Sequence, residues 1–257
     1  MSWINRKERI VEEYDSLSWL YEVLYAGYNK AELGQAFLDE HAELFSRNKF
    51  GKFHDASCGN GVQAVTLRAR GYEISASDIS EEMLNLTRAY AQEKQVDLHT
   101  FRSGWRELHQ HMEDKVDVML CVGNSISHTR DYTERVATLQ QFYAILNEGG
   151  TLLLDTRNWD LMTEITLKYS VLKQREYKEK KYVPIYIWDP LQFEKESLLR
   201  LVFIEFSGEG QSEYERRITF TPFSHNSLLE ACRDTGFKVE KDTFNMEDDR
   251  YYIYLKK

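Results

Sequence analysis

Apolar residues recur at helical spacing over residues 6–26 and 30–47, and Leu33, Phe37, Leu38, His41, Leu44 and Phe45 line one face of the second stretch. The rhythm then changes. Lys52-Phe53-His54-Asp55-Ala56 reads as a short strand, followed by glycine-rich Ser57-Cys58-Gly59-Asn60-Gly61 and a helix from Val62 to Ala69 that Gly71 stops. Tyr72 to Ser77 alternates as a strand does. Ser80 can cap a helix from Glu81 to Lys94, whose dipole favours the negative charge of Glu81 and Glu82 in its first turn. Strand 97–102, strand 116–121, helix 131–146 and strand 150–155 continue the alternation, with Asn147-Glu148-Gly149-Gly150 as the turn into the last strand. Strands alternating with helices at this pitch predict an α/β fold with a parallel sheet covered on both faces.

After Asp160 the pattern differs. Residues 169–221 are rich in Tyr, Val, Ile and Phe, with turn signals at Asp189-Pro190 and Ser207-Gly208-Glu209-Gly210, which predicts antiparallel strands. Helix 224–235 and strands 237–244 and 250–256 return the chain to the α/β body, making its sheet mostly parallel and seven-stranded. A chain of 257 residues fits one domain with an insertion better than two domains. The expected parts are a helical arm (1–48), a core (49–160), an antiparallel insertion covering the site (161–221) and a return to the sheet (222–257).

Composition narrows the function. The formal net charge of −9 argues against a nucleic-acid partner, which needs a basic face. The mixed-charge run Lys173–Lys181 reads as a solvated strand or loop. No stretch approaches the ~20 apolar residues that span a bilayer. Met1-Ser2-Trp3-Ile4-Asn5-Arg6-Lys7-Glu8 lacks a signal peptide's apolar segment. Cys58, Cys121 and Cys232 are widely spaced and read as reduced thiols, so a cytoplasmic protein with a small-molecule partner is expected. A homo-oligomer is compatible with all of this.

Gly59-Asn60-Gly61 lies between a strand and a helix, where glycine lets the backbone approach a ligand with φ > 0. Asp78 ends the next strand. In an open parallel sheet both features face the crevice beyond the strands' carboxyl ends, where Asp78 could accept both hydroxyls of a ribose. A tight turn and a helix-capping Asp would explain either feature alone; together they point to a nucleoside-containing cofactor. Gly59-Asn60-Gly61-Val62-Gln63-Ala64 also satisfies G-x-G-x-x-A, which keeps a nicotinamide-dependent oxidoreductase as a rival. Against it, Asp55 at the end of the first strand would repel a pyrophosphate but suits an ammonium or sulfonium. A phosphate-binding P-loop is excluded, since no G-x-x-x-x-G-K-[ST] occurs.

Asp55-Ala56-Ser57-Cys58-Gly59-Asn60-Gly61 resembles the first motif of class I S-adenosylmethionine-dependent methyltransferases, and Asp78-Ile79-Ser80-Glu81-Glu82-Met83-Leu84 resembles the second. The resemblance covers residues 49–160. It narrows at Cys121-Val122-Gly123-Asn124-Ser125-Ile126-Ser127-His128 and Leu154-Asp155-Thr156-Arg157-Asn158-Trp159-Asp160, which are similar to glycine N-methyltransferases and the glycine/sarcosine methyltransferases of betaine synthesis. The resemblance implies a Rossmann-like fold, S-adenosylmethionine as cofactor with S-adenosylhomocysteine as product, and methyl transfer to the amine of glycine or sarcosine. It further implies that Ala56, Gly59 and Gly61 line the methionine part, that Asp78 holds the ribose, and that Ile79 and Met83 flank the adenine. Gly104 and Trp105 would also meet the adenine, though Trp105 could be a plain core aromatic. Cys121 and Val122 would lie under the methionine part, with no sign of a reactive thiol.

For the acceptor, Asn124 and Arg157 follow strands four and five and converge on one crevice. Arg157 offers a planar fork matched to a carboxylate; its ordinary alternative is a surface arginine paired with Asp155 or Asp160. His128 fits a positioning role, and Tyr14, Tyr25 and Tyr177 match places where the family brings tyrosines over the substrate. One departure is that no arginine occurs between Arg9 and Arg47, where the family has one for the cofactor's carboxylate, so Lys30 is the basic candidate. A methyltransferase for another small acceptor, or a cofactor-binding subunit without activity, would be the alternatives. No metal is expected: His109-Gln110-His111 reads as an exposed loop.

Overall fold

The computed structural model describes residues 3–164, 169–208 and 210–257. Parts of the expected arm (1–2), of the expected insertion (165–168) and of its turn at 207–210 (Glu209) lie outside the described residues. The arm forms helices α1 (Trp3–Tyr25), α2 (Lys30–Glu40) and α3 (Ala42–Arg47). Where the sequence predicts one helix over 30–47, His41 interrupts it: its φ is −109° and ψ 22°, and its buried imidazole Nδ1 is 2.7 Å from the hydroxyl of Tyr254 in the sheet. That tertiary bond turns the chain into α3.

The body alternates as β1 (Lys52–Asp55), α4 (Val62–Ala69), β2 (Glu73–Asp78), α5 (Glu81–Glu93), β3 (His99–Arg102), the short α6 (Leu108–His111), β4 (Val116–Cys121), α7 (Tyr132–Ile145), β5 (Leu146–Arg157) and α8 (Trp159–Glu164); α6 takes the place of the loop predicted at His109–His111, and α8 is not predicted. Ser80 caps α5 with its side chain accepting from Met83 N at 3.2 Å. β5 is longer than predicted, because the 147–150 stretch is drawn into the strand rather than forming a turn before it.

The insertion is a second, antiparallel sheet of β6 (Tyr169–Val171), β7 (Arg175–Tyr177), β8 (Lys180–Trp188), β9 (Ser197–Ser207) and β10 (Gly210–Phe220). The Lys173–Lys181 charge run makes the β7–β8 hairpin, turning at Lys178 and Glu179 with φ of 49° and 63°. The chain closes with α9 (His225–Asp234), β11 (Lys238–Asp242) and β12 (Arg250–Lys256). The main sheet has seven strands in the order β11-β12-β5-β4-β1-β2-β3, all running in one direction except β12, which is antiparallel to both its neighbours, β5 and β11. The order reverses between β1 and β4, so the loops after these strands open a crevice. Helix α1 closes that crevice, packing against α5 on one side and β10 on the other. No described helix is long and apolar enough to cross a membrane.

Candidate active site

The glycine loop after β1 is built by close backbone packing. Gly61 sits at φ 80°, and a Cβ there would meet Thr87 of α5 at 2.9–3.0 Å, so only glycine lets α5 approach. Thr87 Oγ1 donates to Gly59 O at 2.8 Å, and Cys58 N donates to Ser77 O at 3.0 Å. Asp78 completes the frame: its carboxylate accepts the amides of Gly59 at 2.9 Å and Ser80 at 3.0 Å. Burial nonetheless pushes its pKa up to about 6, against those amide bonds. Asp55 is fully buried and is pushed up to about 7, mainly by burial. One of its oxygens accepts Ser57 N at 3.2 Å, while Oδ2 is buried without a partner among the described residues.

One cleft runs along this frame. Ala56, Gly59, Asp78, Ile79, Gly104 and Trp105 line its floor, and Val122 and His128 its far wall. Trp105 is both wall and core: its Nε1 donates to Ala56 O at 2.8 Å, and its ring meets Phe142 edge-on at 5.9 Å. Helix α1 forms the roof through Ile10, Tyr14, Tyr21 and Tyr25, spaced to fall on one helical face. Tyr21 was absent from the candidates, although that spacing alone could have found it.

Beyond Val122 the cleft meets the insertion. His128 Nδ1 lies 2.8 Å from Thr219 O, so it carries the proton and donates; Nε2 therefore accepts from the Tyr14 hydroxyl at 2.8 Å. Burial lowers the pKa of His128 to about 4 and raises that of Tyr14, so both stay neutral near pH 7. Asn124, at φ 70°, accepts from Thr156 Oγ1 and Arg157 N through Oδ1, each at 3.0 Å, while its buried Nδ2 has no partner among the described residues. The Arg157 guanidinium stacks on Trp188 at 5.4 Å. Among the described residues it makes no hydrogen bond or ion pair. The expected alternative, pairing with Asp155 or Asp160, does not occur: Asp155 is held by Arg250, and Asp160 accepts His225 N at 2.7 Å. Burial, followed by the nearby charge of Arg250, lowers the Arg157 pKa. The charge of Arg157 is felt at both Tyr14 and Tyr186, and Tyr25 is close to the same two phenols.

Seven candidates do not line this cleft: Asn124 and Arg157, which lie beyond it, Gly61, which packs on Thr87, and four more. Tyr177 stacks on Trp19 at 6.4 Å rather than lining the cleft. Lys30 is paired with Glu22 at 2.7 Å. Met83 is buried on α5, and Cys121 belongs to the core, its thiol pKa raised by burial. Conversely, Tyr186 and Trp188 had no sequence signal, because which face of β8 meets Arg157 depends on how the two sheets dock. His109 and His111 form no metal site, and no group of metal-ligating residues occurs among the described residues.

Comparison with known proteins agrees with this architecture. Residues 54–150 match the model of a methyltransferase domain. A glycine/sarcosine N-methyltransferase of Aphanothece halophytica is 27% identical over 79% of this chain and 74% of its own length. Another, from Halorhodospira halochloris, is 35% identical, but over only 41% of this chain and 40% of its own length. A Geobacillus protein named as a methyltransferase with no substrate given is 24% identical over 92% of this chain and 93% of its own. The solved structure of an S-adenosylmethionine-dependent methyltransferase from Clostridium acetobutylicum superposes with a TM-score of 0.72 at 14% identity, covering 95% of this chain and 98% of that one.

Proposed function

The chain being a class I S-adenosylmethionine-dependent methyltransferase, we propose that it methylates the amine of a small amino acid, glycine or sarcosine. The observation that carries this reading is the Arg157 guanidinium, stacked on an indole with no ion pair of its own, while Asn124, which holds the Arg157 backbone amide through Oδ1, leaves its Nδ2 without a partner. A planar, partly buried cation is matched to an incoming carboxylate. The glycine/sarcosine enzymes among the relatives accept substrates of that class.

The residues present suit the cofactor. The unpartnered Oδ2 of Asp55 offers a buried anion to a cationic group, and Asp78 keeps lone pairs free for ribose hydroxyls. Ala56, Gly59 and Gly61 would border the methionine part, and Ile79, Gly104 and Trp105 the adenine. When bound, the cofactor supplies a methyl carbon activated by its sulfonium. The protein's own work is alignment. Arg157 and Asn124 Nδ2 fix the acceptor's carboxylate, and Tyr14, whose proton is committed to His128, presents oxygen lone pairs to an N–H of the amine. Such positioning can remove about 7–11 kcal/mol of a barrier when alignment is good. The nucleophile must be a neutral amine, so initial rates with glycine or sarcosine should rise from neutral to alkaline pH. A flat or falling profile in protein that binds the cofactor would turn the reading towards another acceptor.

The two buried acids give a second expectation. Their folded pKa values, about 7 and about 6, lie above the ordinary carboxyl value of 3.8. Both carboxyls therefore favour the folded state below about pH 4, and that contribution is lost as pH rises through 6–7. A cationic ligand offsets the cost of the ionised forms. The gain in melting temperature from S-adenosylmethionine should accordingly be larger at pH 8 than at pH 5.5. Equal gains at both values would remove these carboxylates from cofactor binding.

A further inference from the structure

Resting on the reading of Arg157 as the acceptor's carboxylate clamp, we infer that Arg250 keeps that clamp open by holding Asp155, which would otherwise capture Arg157. Asp155 and Arg157 stand two residues apart on β5, so their side chains leave the same face of the sheet, roughly 7 Å apart along the strand. Nothing in the strand itself prevents a fork–carboxylate pair between them, the strong form of such contacts. The antiparallel neighbour does. In the β12–β5 register Arg250 lies opposite Arg157, and Tyr252 opposite Asp155. Arg250 Nη2 reaches diagonally to Asp155 Oδ1 and forms the ion pair. Arg157 is left to stack on Trp188 at 5.4 Å.

The charge balance follows directly. With Arg250 on Asp155 these two charges cancel; the Asp249 carboxylate also bears on Arg157 but forms no ion pair with it among the described residues, so Arg157 stays open to an incoming anion. Without Arg250, Asp155 and Arg157 would cancel instead, and a carboxylate would have to displace an internal rival. The fold also fixes Arg250. Asn158 Nδ2 donates to Asn245 O and Asp248 O, both at 2.9 Å, and Asn158 N donates to Asp249 O at 2.9 Å. The residue after Arg157 thus pins the segment that delivers Arg250. Both partners of the Arg250–Asp155 pair are partly exposed, at 37% and 29%, so the pair contributes little to stability and its removal should leave the protein folded.

The test compares Arg250→Ala, Arg250→Lys, Arg250→Ala/Asp155→Asn and Arg157→Ala in steady-state kinetics for the acceptor, with calorimetric titration of cofactor. Arg250→Ala should raise the acceptor KM about tenfold, with a smaller change in kcat and cofactor Kd near wild type. Arg250→Lys should retain most of the function. The double variant should regain most of the lost KM, because the carboxylate that captures Arg157 is gone; a merely structural role for Arg250 would not be rescued this way. A wild-type KM in Arg250→Ala, or a double variant as impaired as the single, overturns the inference. If Arg157→Ala is itself silent, the carboxylate reading falls and this inference with it. If Arg157→Ala is damaging while Arg250→Ala is silent, only the role of Arg250 is lost.

Discussion

Replacing Arg157 with alanine should lower kcat/KM for the acceptor by about one to two powers of ten, since a hydrogen bond to a charged group contributes roughly 1.5–3 kcal/mol. Loss of alignment can add to this in kcat. Arg157→Lys should recover only part, because an ammonium lacks the fork and the flat face that stacks on Trp188. Cofactor affinity should stay near wild type in both variants. Arg157 is absent from the walls of the cleft along the glycine loop, and its charge is felt instead at Tyr14 and Tyr186. Wild-type acceptor kinetics in folded Arg157→Ala would remove the carboxylate role, and lost cofactor binding would reassign the residue.

The second large effect is expected at Asp78. Its carboxylate accepts two backbone amides and faces the cleft, so Asp78→Ala removes the proposed ribose acceptor and leaves Gly59 N and Ser80 N without their partner. Cofactor affinity should fall by about one to two powers of ten, with a lowered melting temperature for the free protein. Asp78→Asn keeps the shape and one acceptor oxygen, so it should hold the loop better while still weakening the cofactor. The contrast between the two variants separates loop support from ligand contact. Wild-type cofactor affinity in both would exclude the ribose role.

The sequence carried the sheet and the glycine loop because their determinants are local. Alternating periods, Gly59 and Gly61 at a strand-to-helix turn, Ser80 as a cap and Asp78 at a strand end are each readable within a few residues. His41 is different: it ends α2 through a bond to Tyr254, far away in the sequence. The surroundings of Arg157 are assembled in the same non-local way. Tyr186 and Trp188 reach Arg157 only because the second sheet docks with that face inward, and Arg250 reaches Asp155 across 95 residues of chain. The segments around Asn124 and Arg157 mark them as candidates, but nothing local to the sequence tells that Arg157 is left without an ion pair by its neighbours. Tyr177 rests on the family resemblance and Lys30 on being the basic residue between Arg9 and Arg47, and packing gives both other partners.

The most direct test of the account is product mass spectrometry after incubation of the protein with glycine and methyl-labelled S-adenosylmethionine. With sarcosine supplied in a parallel incubation, labelled methyl is expected on the nitrogen of at least one of the two acceptors, accumulating with S-adenosylhomocysteine and faster at alkaline pH. Both acceptors recovered unlabelled, in protein shown by calorimetry to bind S-adenosylmethionine, would contradict the reading.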